Sequence, residues 1–145
     1  DVIVVEQSTG IDCAGWGGVL CVGAQLKEVS GVIVEGPARD IDEARELGFP
    51  VYARSATATT ARGRVYEQDF NCIIQVGDVE VKPGDYVIAD GSAVAFVPRD
   101  RVEEVLVRAE RIADRERLMI LALKNGEAIT EVMGKNYETM LEESK

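Results

Sequence analysis

Apolar and polar positions alternate along this chain in short blocks that predict an α/β fold. Asp1–Val5, DVIVV, reads as a strand. Val29–Glu35 reads as a second, central strand, because Val32, Ile33 and Val34 form the continuous β-branched run of a strand buried on both faces. Gly36 and Pro37 predict its end, and Val51–Arg54 returns as a third strand. Two helices fall between these strands. Val19–Lys27 carries apolar residues at Val19, Leu20, Val22, Ala24 and Leu26, and Asp42–Leu47 is followed by Gly48 as a C′ residue and by Pro50 as a stop. Gln7–Gly18 and Ser55–Gly63 are small, polar and glycine-bearing, hence loops.

Beyond Arg64 the period changes to short β runs, Val65–Asp69, Cys72–Val76, Val79–Lys82, Tyr86–Asp90 and Ala93–Val97. Gly77–Asp78 predicts a hairpin turn, and Lys82-Pro83-Gly84-Asp85 a type II turn with Gly84 at positive φ. Asp100–Asn125 is the longest helix, with Asp100 as cap and Glu103 at N3. Its apolar stripe runs from Val102 through Val105, Ala109, Ile112 and Met119 to Leu123. Gly126 ends it, a shorter helix covers Ala128–Leu141, and Glu142–Lys145 is expected to fray.

The stretch that concentrates chemistry is GVIVEGPARD, Gly31–Asp40. It sets a cation, Arg39, and an anion, Asp40, just past a core strand, where open α/β sheets bind ligands. Two readings compete. In one, Asp40 is an N-cap and Glu43 completes a capping box. In the other, Asp40 is a metal ligand and Arg39 a substrate clamp. Upstream, Gly17 and Gly18 precede a helix whose first N–H groups could meet an anion; the alternative is a flexible turn and an ordinary helix entry.

Composition narrows the classes. At 145 residues the chain is about one domain, and 46% hydrophobic content supports a core. The net charge of −10 disfavours nucleic acid, since few cations remain to displace counterions. It leaves carboxylates for a hard cation. No apolar run approaches the roughly 20 residues of a membrane span, and acidic Asp1 does not begin a signal peptide. Cys13, Cys21 and Cys72 have no zinc spacing and suit a reducing cytoplasm. The absence of histidine excludes Ser-His and Cys-His nucleophiles and a phosphohistidine carrier. No glycine-rich strand–loop–helix of nucleotide-binding type is present, which argues against a methyltransferase.

The run GGVLCVGAQLKEVSGVIVEGPARDIDEARELGFPVYAR resembles the RraA-like family, as does the later GRVYEQDFNCIIQVGDVEVKPGDYVIADGSAVAFVPRDR. The family signature places Arg-Asp after twenty intervening positions and an acid three beyond; Gly18, Arg39, Asp40 and Glu43 fit it. Members include class II pyruvate aldolases acting on 4-hydroxy-4-methyl-2-oxoglutarate or 4-carboxy-4-hydroxy-2-oxoadipate, and a regulator of ribonuclease E. The resemblance implies a single domain over residues 1–145, a three-layer α/β/β sandwich like a swivelling domain, with a long C-terminal helix and a segment missing upstream. It implies a homotrimer or homohexamer, while charge and hydropathy already argue against a nucleic-acid or membrane partner. It also implies a site. Asp40 would ligate Mg²⁺ or Mn²⁺ among waters, with Glu43 behind it. Gly17, Gly18, Val19 and Leu20 would bind a 2-oxo acid through backbone amides, and Arg39 would stabilise the pyruvate enolate. The substrate's tail would be read by the loop at 55–64 or by a neighbouring subunit. The implied activity is a metal-dependent lyase, by retro-aldol cleavage or oxaloacetate decarboxylation; the alternative is a non-catalytic regulator with a protein partner. The aldolases carry an aspartate where this chain has Gly18, and Asp-Gly where it has Ser92-Ala93.

Overall fold

The computed structural model describes residues 1–134. Three parallel strands form its central sheet: β1 (Val2–Glu6), β2 (Gly31–Ala38) and β3 (Val51–Ala56), in the order β1-β2-β3. Helix α1 (Gly18–Gln25) links β1 to β2, and α2 (Ile41–Glu46) links β2 to β3. Consecutive right-handed crossovers put both helices on one face of the sheet. There they close a core of Trp16, Cys21, Ala24, Val32, Val34, Ala38, Ala44 and Phe49. Val32 and Val34 point into this layer because side chains two apart on a strand share a face.

The opposite face is built from Ile33 and Glu35. Tyr52 lies opposite Ile33 in the sheet, and its hydroxyl donates to the Ala89 carbonyl at 3.1 Å. Glu6 lies opposite Glu35, and its carboxylate accepts the Gln75 N–H at 2.8 Å. These bonds tie two antiparallel hairpins to that face: β4 (Ile74–Val76) with β5 (Val79–Val81), and β6 (Tyr86–Ala89) with β7 (Val94–Val97). Helices, sheet and hairpins make the expected α/β/β layering.

Several boundaries differ from expectation. Strand β2 does not end at Gly36-Pro37. It runs to Ala38 through an irregularity in which Val34 faces Ala53 and Pro37 faces Ser55, one extra residue on β2. Such a bulge accommodates a proline that cannot donate to the ladder and re-aims the residues that follow. Val65–Asp69 forms no strand: β propensity there finds no partner, and Tyr66 and Phe70 stay exposed. Both turns form as expected. Val76 pairs with Val79 around Gly77–Asp78. Gly84 has φ +93° while the Asp85 N–H bonds the Lys82 carbonyl at 3.0 Å.

The chain divides into two compact units, Asp1–Arg99 and Asp100 onward. The second holds α3 (Val102–Lys124) and α4 (Ile129–Val132). A 3₁₀ turn over Arg99–Arg101 precedes α3, so Arg101 rather than Asp100 holds the cap position, without a side-chain cap bond. The Arg101 guanidinium instead pairs with Glu104 at 3.2 Å. No residue of α3 is buried. The expected helix to Leu141 and the fraying end run past Gly134, outside the described residues. None of the described helices is long and apolar enough to cross a membrane.

Val32→Ala, which empties a fully buried position, is expected to lower stability by about 2–3 kcal/mol in urea denaturation, and exposed Tyr66→Ala by less than about 0.5. The Asp90 carboxylate accepts the N–H groups of Ser92 at 2.7 Å and Ala93 at 3.0 Å, which hold its pKa below the usual value. A depressed folded pKa contributes stability above the unfolded pKa that is lost as pH falls through the folded one. Asp90→Asn should therefore flatten the decline of the urea midpoint below about pH 4.

Candidate functional site

The site forms where β2 ends. Past the bulge, the Arg39 N–H donates to the Trp16 carbonyl at 3.0 Å, so the loop before α1 is stitched to the exit of β2. Trp16 is buried, and its indole N–H points at the Cys21 sulfur at 3.2 Å, anchoring the loop to α1. Cys13, Cys21 and Cys72 are all free thiols, the first two buried as small core residues.

Asp40 occupies the cap position of α2 only through its backbone: its carbonyl accepts the Ala44 N–H at 3.1 Å, and its side chain makes no cap bond. The capping box with Glu43 is not formed. The reason is conformational. A capping residue usually has β-region dihedrals, whereas Asp40 has φ 57° and ψ 41°, in the left-handed region. That geometry swings the carboxylate away from α2 and toward α1, where Oδ2 accepts the Gly18 N–H at 2.9 Å. Oδ2 also lies 3.4 Å from Arg39 Nε, with both side chains about one-third to two-fifths exposed. A non-glycine residue held left-handed is costly by roughly 1–2 kcal/mol and is often retained at functional sites.

The glycines make this approach possible. A Cβ at position 17 would stand 2.9 Å from Asp40 Oδ2 and 3.0 Å from Arg39 Nε; one at position 18 would stand 3.2 Å from Asp40 Cβ. An aspartate at position 18 would therefore crowd Asp40 directly. The Leu20 N–H is engaged by the Gly17 carbonyl at 3.0 Å. The Val19 N–H, by contrast, has no acceptor among the described residues. The Val19 side chain is 85% exposed at the same helix end.

An open cavity of about 500 Å³ adjoins this cluster, lined by Arg39, Asp40, Ile41, Asp42, Glu43, Ala56, Thr57 and Ala58. Arg39, Asp40 and Glu43 thus share one surface; Gly17 and Gly18 adjoin it through the Asp40 side chain, whereas Val19 and Leu20 are not among its lining residues. Ile41 and Asp42 with Ala56, Thr57 and Ala58 complete the wall. They were legible only as helix start and polar loop, since nothing in their order shows that β3 ends beside β2.

A metal would meet one carboxylate here. No group of three His, Cys, Asp or Glu side chains gathers among the described residues. Asp40 Oδ1, however, has no protein partner among them, and Mg²⁺ is commonly held by one or two carboxylates with the rest of its shell water. The donor set fits a hydrated hard cation and not a dehydrated, all-protein cage.

The family model for RraA-like proteins (Aldolase/RraA) matches residues 1–96. The chain belongs to the RraA-like family. It is 30% identical over 128 residues to protein DlpA of Legionella pneumophila, across 88% of this chain and 21% of that one. It is 32% identical over 101 residues to the 4-hydroxy-4-methyl-2-oxoglutarate aldolase of Thermus thermophilus, across 67% of this chain and 58% of that one. Among solved structures, Streptomyces coelicolor RraAS2, described as an unusual member of the RNase ES inhibitor RraA protein family, superposes with a TM-score of 0.73 at 25% identity, over 86% of this chain and 62% of that one. The chain spans from about a fifth to about three fifths of the length of the curated relatives it matches.

Asp40→Ala removes the acceptor for Gly18 and leaves a left-handed alanine; it should cost about 1–3 kcal/mol in chemical denaturation. Asp40→Asn keeps an acceptor and a residue tolerant of that conformation, and should cost less than about 1 kcal/mol.

Proposed function

We propose that this RraA-like chain is a divalent-metal-dependent carbon–carbon lyase acting on a 2-oxo acid through a pyruvate enolate. The observation that carries this is the Arg39–Asp40 pair, clamped to the α1 N-terminus by Gly18 and opening on the 500 Å³ cavity. Relatives named as aldolases at about 30% identity support it.

Asp40 Oδ1 would hold the cation, Mg²⁺ or Mn²⁺, with waters completing its shell and Glu43 nearby. When bound, the dication supplies positive charge where the enolate oxygen develops. Val19 N–H, at the positive end of α1, would orient the substrate carboxylate. The Arg39 guanidinium would bind the 2-oxo oxygen and stabilise it as it gains charge, where fixed donors contribute most. In oxaloacetate decarboxylation the C3–C4 bond breaks, carbon dioxide leaves, and the bond's electrons form the enolate, which then takes a proton from water at C3. No protein base is required. Retro-aldol cleavage must also remove the C4 hydroxyl proton, and Gly18 places no carboxylate there. Decarboxylation is therefore the activity these residues support most directly. A homotrimer or homohexamer is part of the same reading; the exposed Leu118, Ile120 and Leu121 of α3 give apolar surface for association.

A regulator that binds a protein partner is the second reading. It is favoured by glycine at position 18 and by the net charge of −10, which suits a basic partner.

Incubation with oxaloacetate and Mg²⁺ should release pyruvate, and chelation should abolish the reaction. Asp40→Asn should lose at least about tenfold while remaining folded, since it keeps the Gly18 bond and loses the charge. Turnover indifferent to chelator and to both Asp40 substitutions would leave the regulator reading.

A further inference from the structure

Helix α3 carries a second face that no described residue covers. It runs for 23 residues, about 34 Å. Val105, Ile112 and Met119, seven apart, are half-buried along one side of it. Roughly opposite, at the same spacing of seven, stand Glu103, Glu110, Arg117 and Lys124, all exposed. Their order along the helix is acid, acid, base, base. Glu103, Glu110 and Lys124 have no hydrogen-bond or ion-pair partner among the described residues, and Arg117 pairs with Asp114 of its own helix. Between these charges lie Leu106 and Val107 in the first half of α3 and Ile120 and Leu121 in the second, each about half exposed.

We infer that this face of α3 binds the same face of a second copy of the chain, antiparallel, about a two-fold axis between positions 113 and 114. That operation sets Glu103 opposite Lys124 and Glu110 opposite Arg117. It sets Leu106 opposite Leu121 and Val107 opposite Ile120. Each contact then occurs twice, as a self-complementary patch requires. A parallel pair would instead set Glu110 against Glu110 and Arg117 against Arg117, and like charges so placed repel. The order of the charges therefore selects a reversed copy of this helix as the occupant. Asp114 flanks the axis, where its own Arg117 neutralises it. Exposed ion pairs fix register and direction more than affinity, and the apolar pairs between them supply the attraction. One helix face per copy falls short of the roughly 800 Å² per partner of a standard interface, so two chains joined by it alone associate weakly. On a threefold ring, three such contacts act together and join two trimers into a hexamer. The inference rests on the reading above only for that ring, and on nothing of the lyase chemistry.

Sedimentation velocity on the full chain, over a concentration series at low salt, tests this without substrate or metal. The native protein should reach an even copy number, two or six. Glu110→Arg opposes two guanidinium groups at this contact, and Arg117→Glu opposes two carboxylates; each should halve the mass of the assembly. Both side chains are exposed, so each variant keeps the fold. An equimolar mixture of the two variants should restore the native mass, because each copy then presents the charge that the other lacks. Damage to the helix itself would not be repaired by mixing. A native monomer or trimer, an even assembly unmoved by both variants, or a loss of mass that mixing fails to reverse overturns the inference. Pyruvate release from oxaloacetate, measured on the same samples, decides the lyase reading separately.

Discussion

One hydrogen bond, from the Gly18 N–H to the Asp40 carboxylate, joins the two crossover connections of this fold across 22 positions of chain. Each partner is positioned by a different element. Gly18 opens α1, held over the sheet by Trp16, Cys21 and Ala24, and Asp40 closes β2 after the bulge. A charge-assisted bond to a helix N-terminus is stronger than a neutral one, and this one is only partly exposed to competing water. It compensates the left-handed backbone of Asp40, which α2 by itself gives no reason to adopt. The same carboxylate is thereby committed to the protein through Oδ2, while Oδ1 has no protein partner among the described residues.

The neighbouring charges follow from that commitment. Arg39 is fixed at its backbone by the Trp16 carbonyl, and its Nε stays 3.4 Å from Asp40 Oδ2, a weak, half-solvated pair. Such a pair adds little to stability. What it provides is placement: a guanidinium, a carboxylate and a helix N-terminus face one another at the mouth of a cavity without being fully satisfied by each other. Gly17 makes this possible, because any side chain there would occupy the space of the Asp40 and Arg39 heads.

Within the RraA-like family the same frame is described both as an aldolase and as an inhibitor of an RNA-processing enzyme. Aldol cleavage and decarboxylation of a 2-oxo acid differ in their need for a proton acceptor. Carbon dioxide departs without one, whereas an aldol bond opens only when a hydroxyl proton is taken. Glycine at position 18 lets α1 approach Asp40 closely, where a Cβ would stand 3.2 Å from Asp40 Cβ, and it supplies no acid that could take such a proton.

Much of the frame was legible from local pattern. The β-branched run at Val32–Val34, the apolar spacing of Val19–Leu26, Gly48 after α2 and the Pro83-Gly84 turn each encode their own geometry, so strand, helix and turn followed from nearest neighbours in the chain. Local pattern already marked Arg39 and Asp40 just past a core strand, and the resemblance to RraA-like proteins suggested their roles. The sequence could not tell whether Asp40 caps α2 or reaches elsewhere, because both readings use the same Asp-x-x-Glu spacing. Nor could it show that Gly36-Pro37 lies inside a strand or that Val65–Asp69 has no partner. Those outcomes depend on which backbone groups stand opposite one another after folding. The side-chain direction of Asp40, the neighbours of Glu43 and the wall formed by Ala56–Ala58 are decided by contacts between segments far apart in the chain, and hydrogen bonding and charge respond to distance in space rather than to order in sequence.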